Sequence, residues 1–177
     1  RCQVLVTTLE KAIAEALSAK TYSLDVMTLE QSMLLLSGRL DREIWGEEAR
    51  QAEALVQELG YLPLALELAA AQVEDGLSWG VLLEDIQGEV ARLKTLDRPW
   101  ARDVVDEASL KRLSLTASLN LCLKRLEPET REGFIWLGIL PEDVNITQGM
   151  TAVLWDMDDE RDARDDLGYL RSKALLL

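Results

Sequence analysis

Histidine is absent from this chain of 177 residues. Its absence removes Ser-His-Asp and Cys-His nucleophilic catalysis, HExxH zinc chemistry and zinc fingers, all of which need an imidazole as base or ligand. Cysteine is nearly absent too. Cys2 and Cys122 stand far apart in apolar settings and read as buried thiols of a reducing compartment rather than as a disulfide framework. Phe and Tyr are scarce while Leu and Ala dominate, which favours helix over sheet. Basic residues are outnumbered, 19 against 32 acids, for a net charge of −13. Such a surface repels a phosphate backbone, so no nucleic-acid partner is expected. No apolar run approaches ~18 residues and no amphipathic stretch is strongly basic, so no membrane association is expected either. A cytoplasmic location follows as the expectation.

What is present is a globular balance, 48% hydrophobic and 29% charged, enough for one large or two small domains. The chain opens on Arg1 at the head of an apolar run, as if inside a fold. Val4-Leu5-Val6-Thr7-Thr8 is short, apolar and β-branched, and reads as a buried strand. A helix over about 11–17 and a second short strand at Tyr22-Ser23-Leu24 follow. Thr28 with Gln31 three residues later forms a capping-box signature for a helix carrying Leu29, Met33, Leu36 and Leu40 on one stripe. A helix over about 47–59 stops at Gly60, and Pro63 suits the first turn of the next, which is apolar from Leu64 to Ala71. Ser78 caps a helix with Trp79, Leu82, Leu83, Ile86, Val90 and Leu93 inward. Residues 94–108 read as a polar linking loop. The helix predicted over 109–126 is apolar on two sides and is expected to pack against two bodies. Helices at about 129–140, 147–155 and 158–170, then Leu175-Leu176-Leu177 as a strand, give the order of a winged helix.

Three patterns imitate chemistry and are better read as structure. Val81-Leu82-Leu83-Glu84-Asp85 mimics a Walker B strand, but its apolar positions recur at helical spacing behind a cap. Asp156, Asp158, Glu160 and Asp162 mimic a calcium loop but lack its glycine and terminal glutamate, and suit a helix N-terminus instead. The tryptophans Trp45, Trp79, Trp100, Trp136 and Trp155 are scattered, and core packing is their default, with Trp79, Trp136 and Trp155 on apolar helix faces. Seven acids against two arginines over 156–166 oppose DNA binding by a winged helix.

The order of these segments resembles the NB-ARC family of STAND P-loop NTPases, which includes plant disease-resistance proteins, apoptotic protease activators and bacterial signalling ATPases. Four stretches carry the resemblance. Val4 to Thr8 looks like the sensor strand that ends in Thr-Thr-Arg, with Leu9 in place of the arginine. Tyr22 to Ser32 looks like the strand and helix that follow. Gly60-Tyr61-Leu62-Pro63-Leu64-Ala65-Leu66 is similar to the Gly-Leu-Pro-Leu-Ala motif, the most specific match, and Leu154-Trp155-Asp156-Met157 through Leu176 looks like the winged-helix segment.

The resemblance implies a mainly α chain in three parts. These are a remnant of an α/β nucleotide-binding domain over 1–44, a helical-bundle subdomain over 45–126, and a truncated winged-helix subdomain over 127–177. It implies an ADP/ATP-dependent regulatory switch, with Mg in the intact protein, in which Pro63 packs on adenine and Thr7 and Thr8 lie at the phosphate sensor. It implies the P-loop half of the same protein as partner, and homo-oligomer assembly on activation. No GxxxxGK[ST] loop occurs here, so this stretch is not a complete enzyme and no tight nucleotide binding by it alone is expected. Two alternatives stand beside the switch: a helical interaction scaffold without nucleotide binding, and a winged-helix DNA-binding regulator.

Overall fold

The computed structural model describes residues 5–8, 11–17, 20–22, 24–96, 107–141 and 144–176. Among these residues there are nine α-helices and no strand: α1 (Lys11–Ala16), α2 (Leu29–Arg39), α3 (Gly46–Glu58), α4 (Pro63–Glu74), α5 (Trp79–Leu96), α6 (Glu107–Lys124), α7 (Pro128–Leu137), α8 (Gln148–Leu154) and α9 (Glu160–Ser172).

Helix starts follow local chemistry. Thr28 and Gln31 close a capping box at α2, the Gln31 N–H donating to Thr28 Oγ1 at 3.2 Å and the Thr28 N–H to Gln31 Oε1 at 2.9 Å. Ser78 Oγ accepts from the Val81 N–H at the head of α5, and Thr147 Oγ1 from the Met150 N–H at α8. Pro63 and Pro128 open α4 and α7, where a missing N–H costs nothing. Residues 94–96 continue α5 and 107–108 begin α6, so the expected loop shrinks to 97–106, outside the described residues together with Trp100.

Helix ends are more uniform than the sequence announces. Five helices stop in the same geometry, a left-handed residue followed by an N–H that reaches back five residues. The left-handed positions are Asp41 (φ 50°), Gly60 (φ 63°), Gly76 (φ 98°), Asp156 (φ 55°) and Ala174 (φ 57°). The returning bonds run from Arg42 to Ser37, Tyr61 to Val56, Leu77 to Gln72, Met157 to Ala152 and Leu175 to Leu170. Each satisfies a carbonyl of the last turn that would otherwise be orphaned.

Two apolar cores result. The larger gathers Leu36 of α2, Leu55 and Val56 of α3, Leu66 and Ala69 of α4, Leu82 and Ile86 of α5, and Ala117 of α6. Within it, α4 is buried over most of its surface, as its apolar run requires. The smaller core holds Leu126, Leu137, Leu167 and Leu170, with Phe134, Leu154, Trp155, Leu175 and Leu176 against it. α6 serves both, as its two-sided apolarity requires, but the division follows position along the helix. Leu115, Ala117 and Leu121 join the larger core, while Leu123 just inside α6 and Leu126 just beyond it join the smaller. Buried hydroxyls return to carbonyls four residues back: Ser32 to Thr28, Ser118 to Ser114 and Thr151 to Thr147.

The cores are also tied by polar contacts. Arg39 Nη2 donates to the Ser172 carbonyl at 3.0 Å, and Lys173 Nζ to both carboxylate oxygens of Asp75 at 2.5 Å. Arg125 pairs with Asp85 at 2.6 Å, which places the Walker B mimic on a helix face whose Leu82 is fully buried.

The expected α/β remnant and winged helix are corrected. Leu5 to Thr8 and Leu24 are described without regular structure, and Val4, Leu9 and Ser23 lie outside the described residues. A strand needs a paired neighbour for its N–H and C=O groups, and none is described here. Leu175 and Leu176 turn at Ala174 and pack into the smaller core instead of extending, and Leu177 lies outside the described residues. α7, α8 and α9 therefore form a three-helix unit with no described β-wing.

Candidate functional site

Pro63 stands as the first residue of α4, directly after a corner at Gly60-Tyr61 where two successive residues adopt left-handed φ. That corner organises its surroundings. The Tyr61 carbonyl accepts from the Met27 N–H at 3.1 Å, pinning the chain that leads into α2. Ser114 Oγ donates to the Glu58 carbonyl at 2.8 Å and draws α6 against the end of α3. Beside the corner lies an open cleft of about 650 Å³ lined by Val26, Met27, Leu29, Tyr61, Lys94 and Lys111 among others. Pro63, Thr7 and Thr8 are not among its lining residues. Thr7 and Thr8 are exposed, in a segment without regular structure, and Leu9 at the sensor position lies outside the described residues.

The nucleotide switch is therefore not what this arrangement builds. A P-loop needs a strand feeding a glycine-rich turn and a helix N-terminus. The sequence has no such motif, and no strand is described that could present one. A second open cleft of about 420 Å³, between Thr147 and Arg171, is walled by α8 and α9 and gathers no glycine-rich phosphate cradle. Among the described residues no group of three metal-ligating side chains converges. The acids that mimic a calcium loop lie at helix ends, with Glu160 and Asp162 in the first turn of α9. Asp156 is the left-handed residue ending α8, and Asp159 Oδ1 accepts from the Arg161 N–H at 2.9 Å to start α9.

Charged groups that do converge have structural work. Glu89 is buried at the α5–α6 contact and binds Arg92, Lys124 Nζ at 2.8 Å and Asn120 Nδ2 at 3.0 Å. These partners, Arg92 first, hold its carboxyl down at about 2. Glu48 accepts from Arg42 and, at 2.7 Å, from the indole N–H of buried Trp79, and is likewise held at about 2, mainly by Arg42. Cys122 is a buried thiol pushed up to about 11 by burial, hence inert as a nucleophile.

No family model matches the chain. It is 23% identical over 180 residues to apoptotic protease-activating factor 1 of Homo sapiens, which covers 99% of this chain and 14% of that protein. It is 30% identical over 157 residues to regulatory protein AfsR of Streptomyces griseus, covering 89% of this chain and 15% of AfsR. For AfsR of Streptomyces coelicolor the identity is 28% over 175 residues, with 99% and 16% covered. The chain is a distant relative of NB-ARC and AfsR-like STAND proteins, at the level of the superfamily. It spans 14% to 16% of the length of these relatives.

What the geometry leaves without an internal role is apolar surface. Leu5 is 91% exposed and Leu24 93%, and Val6, Ile13, Leu17 and Tyr22 are exposed with them. None belongs to either core. Trp136, assigned by its sequence to a buried helix face, is 49% exposed, whereas Trp79 and Trp155 do pack inward, Trp155 donating to the Gly133 carbonyl at 2.9 Å. No helix among the described residues is long and apolar enough to cross a membrane.

Proposed function

We propose that the chain is a helical interaction scaffold, docking on a neighbouring domain of a larger STAND-type polypeptide through its apolar N-terminal arm without binding nucleotide itself. The observation that carries this is the exposure of Leu5, Val6, Ile13, Leu17, Tyr22 and Leu24. Segments expected as a buried strand and a helix leave these large apolar side chains in solvent. Burying one such side chain contributes about 1.5–3 kcal/mol, so several together can offset the cost of ordering a docked arm. The helical remainder, with two cores tied through α6 and the Lys173–Asp75 pair, supplies a rigid mount. The short stretch of relatives to which the chain aligns supports a part that works beside other domains.

Amide hydrogen exchange over residues 5–24 tests this, in the chain alone and within its complete polypeptide, beside calorimetric titration of the chain with ADP. Protection confined to the complete polypeptide, and no ADP heat, are expected. Equal exchange in both contexts would sink the docking role. ADP binding that Pro63→Ala abolishes would replace the scaffold by a nucleotide site.

A further inference from the structure

The smaller core carries a second exposed apolar surface, independent of the arm. α7 turns Phe134 and Leu137 inward, with Leu140 beyond its end, and these complete its contribution to that core. On its outward side Glu129, Glu132, Trp136 and Ile139 recur at helical spacing, with Ile135 beside them. Ile139 lies just beyond α7, in a turn that its N–H closes onto the Trp136 carbonyl at 3.2 Å. Ile135 is 63% exposed, Trp136 49% and Ile139 62%, although the core on the other side of the helix is filled without them. One end of the stripe is thus apolar and aromatic, the composition of binding anchors. The other end is acidic, and Glu129 and Glu132 are exposed without an ion-pair partner among the described residues.

Charge decides what fits there. Residues 127–176 hold twelve Asp and Glu against five Arg and Lys. A second copy would bring a further −13 and be repelled, and an anionic lipid surface would be repelled for the same reason. We propose that the outward face of α7 docks a basic amphipathic helix. Its apolar side covers Ile135, Trp136 and Ile139, and its Lys or Arg residues pair with Glu129 and Glu132. Packing of one helix on another joins side chains at three- and four-residue spacing, the spacing that Glu129, Glu132 and Trp136 have on α7.

The test is fluorescence anisotropy with a labelled amphipathic Leu/Lys peptide, at low and at physiological salt. Trp136→Ala with Ile139→Ser is expected to weaken binding about tenfold, as loss of a central aromatic anchor does. Glu129→Lys with Glu132→Lys is expected to weaken it comparably and to flatten its salt dependence. All four side chains are exposed, so the fold should survive, which a thermal melt checks. Leu34→Ser, at an exposed leucine on α2, and Leu5→Asp with Leu24→Asp in the arm should leave binding unchanged. Equal weakening by either control, equal binding of a Leu/Glu peptide, or indifference to the double glutamate reversal would each overturn the proposal. Because the arm variant is scored separately, failure here is distinguishable from failure of the arm as a docking element.

Discussion

Replacing Gly60 by Ala examines the corner on which the larger core turns. Gly60 holds φ 63°, its N–H closes onto the Gln57 carbonyl at 3.1 Å, and the next N–H, of Tyr61, onto Val56 at 3.2 Å. An alanine there adopts the left-handed region at a cost of about 1–2 kcal/mol. Its Cβ would also meet Lys111 Cγ at 3.0 Å, with Lys111 Cβ at 3.8 Å and Cα at 3.9 Å in ordinary contact. Only the flexible stem of Lys111 must yield, by a few tenths of an ångström, which adds about 0.5–1 kcal/mol if the rotamer is pushed off its minimum. Lower entropy of the unfolded chain recovers about 0.4–1 kcal/mol. The net destabilisation is about 1–2 kcal/mol. With a urea m-value near 2 kcal/mol/M, the unfolding midpoint should fall by roughly 0.5–1 M. In a Lys111→Ala background the steric part should vanish and the backbone part remain. An unchanged or raised midpoint for Gly60→Ala would refute the left-handed corner, and with it the pinning of Met27 to Tyr61.

Ala174→Gly is the converse experiment. Ala174 occupies the left-handed position at the end of α9 with φ 57°, so glycine there should stabilise by about 0.5–1 kcal/mol and raise the melting temperature. Glu89 and Glu48 predict an acid limb of stability. Their folded values of about 2 lie below the ordinary glutamate value of 4.5, so their contribution is complete above about pH 4.5 and drains as pH falls toward 2. Glu89→Gln should lower the urea midpoint at neutral pH, with a loss on the order of 1–3 kcal/mol for a charged, buried hydrogen-bonded group, and should shrink the difference between pH 6 and pH 3. An unaltered pH difference in Glu89→Gln would remove Glu89 from that account.

Helices and their starts were set by short stretches of sequence. The Thr28–Gln31 box, Pro63 and Pro128 at first turns, Ser78 and Thr147 as caps, and the unbroken apolarity of α4 all act within one or two turns, where hydrogen bonding and side-chain spacing decide the outcome. Gly60 announced its turn for the same reason. Ala174, Asp41 and Asp156 did not, because their left-handed φ is held by packing and returning backbone bonds rather than by residue preference. Strands at Val4–Thr8, Tyr22–Leu24 and Leu175–Leu177 could not be settled locally, since a strand exists only with a partner from elsewhere in the chain. Tertiary structure alone decided which apolar residues find company. Trp79 reaches Glu48 across 31 residues, and Lys173 reaches Asp75 across 98, while Trp136, equally apolar by pattern, faces solvent. Burial depends on which faces of other helices arrive at a given place, and spacing along one helix carries no record of that.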